Sequence, residues 1–455
     1  MNKYLSVLLL LCSCLLTRIV SGQEADGPAE AAVVSQTRDN EVQFIDQPVA
    51  IDPASDFELP PPIQRPDPEQ DPQFQQRLQT IRSYNNAVQQ LEAQGGAWSQ
   101  QLTEELSAMG LLQQQQGDHI GAVETFNRAM HINRINSGLH TLEQVPLIEN
   151  MIDSFLALGD WEQADIYNNY LLYVNQRTYG RRDPRMIPIL ARLADWNLQV
   201  YNVRFGGSQA QRLWSAQTLF NVAAGLVGLH FGTNDERYIN YLRGIANSGF
   251  LVANNQDLLR EVDSNDFRSA QKVYRDGLAE GQFRSPAAFI AAEDVLYAIA
   301  EHYSAQPDSE RQLVSAVADI GDWYLMFGRR RAADEKYLEA WELAETLTAG
   351  AELQQQVFGT VRAIPSFSAL SNQLLEKNIT TVGGALRYDY IDLVIDVTEN
   401  GQARNIRPAT DRHRASPEQL DQIARKVRQT RFRPLVINGE RIRSTDNYFR
   451  YRYWY

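Results

Sequence analysis

The stretch that decides the fold is Gly110-Leu111-Leu112-Gln113-Gln114-Gln115-Gln116-Gly117-Asp118-His119-Ile120-Gly121-Ala122-Val123-Glu124-Thr125-Phe126-Asn127-Arg128-Ala129. Gly117-Asp118 interrupts an otherwise helical pattern, so the stretch reads as two helices joined by a tight turn. Ala122, Phe126 and Ala129 fall on one face of the second helix at helical spacing. Gly110 stands on the first helix where a small residue lets the two approach. The same offsets recur downstream at Gly321, Gly328, Ala333, Tyr337 and Ala340, with Tyr324 on the first helix. A partial third copy, Leu156-Ala157-Leu158-Gly159-Asp160-Trp161-Glu162-Gln163-Ala164, carries the turn at Gly159 and the following Ala164.

Gly117 to Gly159 and Ala122 to Ala164 are both steps of 42 residues, as is Gly138 to Gly180. Ser137-Gly138, Tyr179-Gly180 and Phe231-Gly232 each precede an apolar helical run, although the last step is 52. This offset set resembles the tetratricopeptide repeat. Its longer period is similar to the extended variants found in kinesin light chains and many bacterial proteins. The resemblance implies a helical-hairpin repeat solenoid over residues 74–350, with residues 200–310 not assigned to individual repeats, and a groove that binds peptides or protein termini.

The pattern changes after Pro365. Tyr390–Val397 is strand-like, Glu399-Asn400-Gly401-Gln402 reads as a hairpin turn, and Ala403–Arg407 returns as a strand. Ser416-Pro417-Glu418 opens a helix that runs to about Thr430. Thr430-Arg431-Phe432-Arg433-Pro434, a second turn at Asn438-Gly439 and a final strand from Asn447 to Tyr455 complete a strand, strand, helix, strand order. The hairpin Val397–Ile406, the aromatic-Pro element and the Asn-Gly turn resemble the C-terminal domain of TonB, which implies a small α+β domain over residues 366–455. The Tyr-Pro pair that the family carries ahead of its first strand is absent from Leu374–Tyr388. In that family a short extended receptor segment pairs with the edge of the last strand. Carried onto this chain, the candidate binding edge is Tyr448, Phe449, Arg450, Tyr451, Arg452 and Tyr453. Alternation puts Phe449, Tyr451 and Tyr453 on one face, against the helix. Tyr448, Arg450, Arg452 and Trp454 take the other, with the arginines expected in water.

The front of the chain has a different character. Lys3, the apolar run Leu5–Leu16 and Val20-Ser21-Gly22 read as an export signal over residues 1–22, cleaved near Gly22. Both cysteines, Cys12 and Cys14, lie inside it, so the mature chain would hold neither a disulfide nor a thiolate site. A second reading stays open, in which Leu11-Cys12-Ser13-Cys14 is a lipoprotein box with Cys14 lipidated. Residues 23–73 read as an acidic, Pro-rich disordered linker. From Gln23 to Thr80 there are twelve acidic residues, against two basic ones before Arg77. From Leu386 to Tyr455 there are fourteen basic and nine acidic residues. The net charge of −13 argues against nucleic-acid binding, which needs clustered positive charge.

The six histidines (His119, His131, His140, His230, His302, His413) form no metal-ligand spacing. There is no nucleophile elbow, phosphate loop or dinucleotide fingerprint. Acidic residues such as Asp322 read as solvated helix faces. The expectation is therefore a mainly α protein with a small α+β C-terminal domain, exported to the bacterial periplasm, with no catalytic residues, cofactor or metal. It would act as a non-enzymatic envelope adaptor for protein or peptide partners and contact membrane only indirectly unless lipidated. The alternative is an accessory component of a TonB-dependent outer-membrane energy-transduction system, contacting receptors or TonB itself.

Overall fold

The computed structural model describes residues 41–52, 58–60, 67–262, 291–368 and 387–455. The export segment and both cysteines lie outside the described residues. After α1 (Phe74–Gly95), helices follow in packed pairs: α2 (Leu102–Gln115) with α3 (His119–Ser137), α4 (Val145–Leu158) with α5 (Trp161–Tyr179), and α6 (Ile187–Asn202) with α7 (Gln209–His230). Next come α8 (Glu236–Ala253), which packs on α7, and the short α9 (Gln256–Val262). Beyond residue 291 are α10 (Ala292–Ser304), α11 (Glu310–Met326), α12 (Arg330–Glu345) and α13 (Gly350–Phe358). The chain is mainly α with a small antiparallel sheet, as expected.

The hairpin geometry follows from the residues that predict it. Ala122, Phe126, Ala129, Ala164, Ala333, Tyr337 and Ala340 are all fully buried. A Cβ on Gly321 would lie 2.6 Å from the Tyr337 ring, and one on Gly110 would collide with Phe126. These glycines therefore set how closely α2 meets α3 and α11 meets α12. Gly117, Gly159 and Gly328 end their helices at φ +81°, +73° and +74°, where a side chain is strained. Asp118 and Asp160 then cap the following helices, accepting from the Gly121 and Gln163 backbone N–H groups at 2.9 and 3.0 Å.

Between hairpins the structure adds a clasp. After Tyr179-Gly180, Asp183 accepts from the Arg185 backbone N–H and takes its guanidinium at 2.8 and 2.7 Å, while that guanidinium lies 4.0 Å over the Tyr179 ring. Phe231-Gly232 repeats this with Asp235 and Arg237, at 2.8, 2.7 and 4.4 Å. Bonds from Arg185 and Arg237 pull the two aspartate carboxyls down to about 2. The spacing aromatic-Gly-x-x-Asp-x-Arg was present in both stretches and connects loops 52 residues apart.

The sheet assembles from the two ends of the described chain. Its strands are β1 (Phe44–Ile45), β2 (Val49–Ala50), β4 (Tyr388–Val397), β5 (Ala403–Pro408) and β9 (Ser444–Trp454), in the order β1-β9-β4-β5 with β2 also on β9. Outside it, β3 (Arg362–Ile364) pairs with β6 (Arg431–Arg433), and β7 (Leu435–Ile437) with β8 (Glu440–Ile442). Helix α14 (Pro417–Gln429) begins in a full capping box between Ser416 and Gln419. Asn438 and Gly439, at φ +52° and +78°, make the tight β7–β8 turn.

One expectation, the disordered linker, is corrected at residues 44–50, and the layout gains two features. Residues 44–50, within the expected linker, contribute two strands. Helix α13 and β3 occupy the space between the expected array end at 350 and the domain start at 366. The two parts also share apolar packing, because Trp454 and Val436 belong to the buried cluster of the helices, while Ile423, Val427, Phe432, Phe449, Tyr451 and Tyr453 form a second core between α14 and the sheet. The described residues from Val42 to Tyr455 accordingly form one compact unit.

Candidate functional site

Strand β9 pairs along its length with β4, from Tyr388 opposite Trp454 to Val397 opposite Ser444. Its alternation comes out as the pattern implies. Phe449, Tyr451 and Tyr453 are buried at 2%, 2% and 1% exposure, and Phe449 meets Phe432 at 5.5 Å. Burial pushes the Tyr451 and Tyr453 hydroxyls above their ordinary range. On the opposite face Arg450 and Arg452, expected in water, are half-buried and ion-paired. Arg450 makes a fork to Asp392 at 2.8 and 2.9 Å. Arg452 pairs with Asp46 and lies 5.1 Å over the Tyr388 ring. Trp454, placed on that outer face, is fully buried against the helices.

The edge itself is also not open. Residues 42–52 run antiparallel along β9 as a strap, with Phe44 opposite Trp454, Ile45 opposite Tyr453 and Val49 opposite Arg450. The backbone N–H groups of Gln43, Asp46 and Ile51 donate to the carbonyls of Trp454, Arg452 and Tyr448 at 2.8, 2.9 and 3.0 Å. Phe44 stacks on Trp454 with centroids 5.3 Å apart, and the Trp454 indole N–H donates to Asp46 at 3.1 Å. From α14, Lys426 Nζ donates to the Val42 and Gln43 carbonyls at 3.1 and 2.7 Å, and Gln422 Oε1 accepts from the Val42 N–H at 2.8 Å. Further along, Arg450 and Arg414 donate to the Glu58 and Pro60 carbonyls at 3.0 and 2.7 Å. Acidic front and basic tail thus meet at this strand.

The repeat-defining residues do not gather into one site. They are the internal seams of their hairpins, and Tyr324 is buried with its hydroxyl 2.9 Å from Glu293 and 2.8 Å from that of Tyr297. One buried constellation was missed. Arg433, 1% exposed, forks to Asp322, itself fully buried, at 2.7 and 2.6 Å, and reaches Asp319 at 3.1 Å. The Tyr337 hydroxyl donates to Asp322 at 2.8 Å. Asp322 is therefore no solvated helix face; the correction follows from Arg433, which the β6 strand delivers onto α11. Burial raises the Asp322 carboxyl above its ordinary value, with Arg433 opposing. The available signal was two aspartates, three residues apart, inside the apolar run Val314–Leu325.

On the helical part, Asp195 of α6 is half-buried, and desolvation pushes its carboxyl up to about 7. An aromatic group stands at the α3–α5 surface, where His140 meets Tyr173 edge-on at 4.9 Å and Arg134 lies 5.3 Å over Tyr170. Among the described residues no three His, Cys, Asp or Glu side chains are placed to hold a metal ion, and no helix is long and apolar enough to cross a membrane.

No family model matches the chain, and no curated protein matches it. Among solved structures it is similar to the crystal structure of BtubC (BKLC) from P. vanneervenii, at 13% identity, covering 60% of this chain and 91% of that one, with a TM-score of 0.30. A likeness of that size supports no statement about the fold or function of this chain, which rest on its own geometry.

Proposed function

We propose that this chain is a non-enzymatic adaptor of the bacterial envelope, exported to the periplasm, which binds extended protein segments by strand addition at β9 and holds them beside a tetratricopeptide-type helical array. The observation that carries the reading is that β9 takes up a segment distant in sequence through backbone bonds, with Phe44 and Asp46 inserted at Trp454 and Arg452. Strand addition works in this way: main-chain bonds supply affinity and alternate side chains supply choice. Support for the array comes from the repeated Gly, Ala and aromatic seams. Support for a TonB-like domain comes from its capped helix, its Asn-Gly turn and its long last strand.

The test is a photo-crosslinking amino acid at position 448 of the full chain, expressed in the bacterial envelope, with Tyr337 as the buried control. A protein partner captured at 448 and not at 337, through a segment identified by mass spectrometry, is the expected result. Capture at neither position, with the array surface at Tyr173 also silent, rejects the adaptor reading. Loss of capture when the proton gradient is collapsed would move the chain into an energy-transduction system.

A further inference from the structure

The strap divides into two unequal halves. Val42 to Asp46 is anchored: Val42 is 4% exposed, Phe44 stacks on Trp454, and Asp46 holds both Arg452 and the Trp454 indole. Val49 and Ala50 lie on the surface, Val49 at 65% exposure, with Ile51 half-buried after them. Pro48 separates them, and the register against β9 slips by one residue between Ile45 and Val49. A strand committed to a core buries side chains along its whole length; here Val42 is buried and Phe44 and Ile45 are half-buried, while Val49 and Ala50 are exposed. It is also an edge strand, so nothing in the sheet lies on its far side.

We infer that residues 42–52 are a resident competitor for the edge of β9, and that the segment which replaces them carries an aromatic side chain and, two residues later, a carboxylate. The inference rests on the strand-docking reading above and adds its regulation and its recognition rule. Phe44 and Asp46 state that rule: one ring for the face of Trp454, and one acid for Arg452 and the indole N–H. Opening starts at the exposed pair Val49-Ala50, between Pro48 and the Glu58 and Pro60 carbonyls that Arg450 and Arg414 hold. When Val49–Ile51 lifts, the Tyr448 carbonyl and the backbone beside Arg450 are freed first, and an incoming strand can pair there before Asp46 releases. A tethered strand competes at high effective concentration. If it is closed nine times in ten, an outside segment binds about tenfold more weakly than to the bare edge.

The test uses a fluorescein-labelled peptide of residues 42–52, measured by anisotropy on the full chain. The peptide should bind a Phe44→Ala/Asp46→Ala chain about five- to tenfold more tightly than wild type, tenfold being the ceiling for a strap closed nine times in ten, because that chain's own strap is weakened. A peptide carrying the same two substitutions should bind that chain at least tenfold more weakly than the unaltered peptide. Ile51→Pro, which deletes only the N–H donated to Tyr448, should give a smaller gain of about threefold. It should also leave hydrogen exchange at the Asp46 amide unchanged. Equal affinity of wild type and the doubly substituted chain overturns the inference, as does equal binding of the two peptides. If the double substitution unfolds the C-terminal sheet and Ile51→Pro leaves peptide binding at the wild-type level, the strap is a structural strand and the inference also fails. A strap that gates the peptide, in a chain that captures no partner at position 448, would instead count against the adaptor reading alone.

Discussion

Replacing Arg433 by methionine keeps the volume of the side chain and removes its charge. In the wild-type chain the guanidinium is 1% exposed and the Asp322 carboxylate fully buried. The substitution leaves that carboxylate with the Tyr337 hydroxyl but without its cation. Removing one partner of such a pair costs about 3–5 kcal/mol, because the remaining charge is buried uncompensated. Against a total stability on the order of 5–15 kcal/mol, that is a large share. The pH dependence follows from Asp322. Burial already raises its pKa above the ordinary 3.8, and Arg433 opposes the rise, so Arg433→Met raises it further. A carboxyl whose folded pKa is raised keeps its proton in the folded state, so stability falls as pH climbs through that pKa. The deficit should therefore be smaller at pH 5 than at pH 8, measured by urea denaturation with far-UV circular dichroism. Adding Asp322→Leu should recover most of the loss, because an apolar replacement removes the stranded charge as well. A loss below about 1 kcal/mol, or one equal at both pH values, would refute the assignment of Arg433 and Asp322 as a buried pair that joins sheet to helices.

Ala333→Phe should overpack the seam where Gly321 and Tyr337 already touch, lowering stability by about 1–3 kcal/mol in a thermal melt; an unchanged melt would mean α11 and α12 do not meet there. Asp195→Asn should change stability little below about pH 3.8, where the carboxyl is protonated folded and unfolded, and raise it progressively up to pH 8.5 in urea denaturation, because the half-buried wild-type carboxyl, pushed up to about 7, resists the ionisation that the unfolded chain undergoes freely. The gain is at most about 4 kcal/mol, less whatever water reaching the side chain recovers. His119, buried and without a described hydrogen-bond partner on either ring nitrogen, has its pKa lowered by that burial from the ordinary 6.5. The folded state therefore binds fewer protons than the unfolded one, and wild-type stability should decline as pH drops below 6.5. His119→Leu should flatten that decline between pH 7.5 and 5.5, and an equally steep profile would place the acid sensitivity elsewhere.

The helical hairpins were legible because their determinants are local. Gly117, Ala122 and Phe126 act within one turn and the helix after it, and the same physics recurs wherever the offsets recur. The sheet's own hairpin and helix, from Val397 to Thr430, were legible for the same reason. What sequence reading could not reach were contacts between distant residues. The strap lies in a stretch rich in proline and acid, the usual composition of disordered chain, and its N–H groups find acceptors only across the fold, on β9 and at Gln422 of α14. The burial of Asp322 depends on Arg433, more than a hundred residues away, and no local pattern separates a buried aspartate from a wet one. The alternation of β9 identified Phe449, Tyr451 and Tyr453 as inward. It could not reveal that Trp454, on the other face, would be covered by helices, because alternation assigns a side and says nothing of what lies there.

The strap also sets an order of events during synthesis. Asp46 meets the Trp454 indole across 408 residues of sequence. At ribosomal rates of about 5–20 residues per second, roughly 20–80 seconds separate the making of the strap from the making of its acceptor. Throughout that interval the helical array can fold hairpin by hairpin, since its contacts are near in sequence. Phe44 and Ile45 have no β9 to pair with, and charge and proline, which discourage stray strand pairing, stand beside them at Glu41, Asp46 and Pro48. Residues 42–52 are thus made first and paired last, and the sheet can be complete only once β9 has been made.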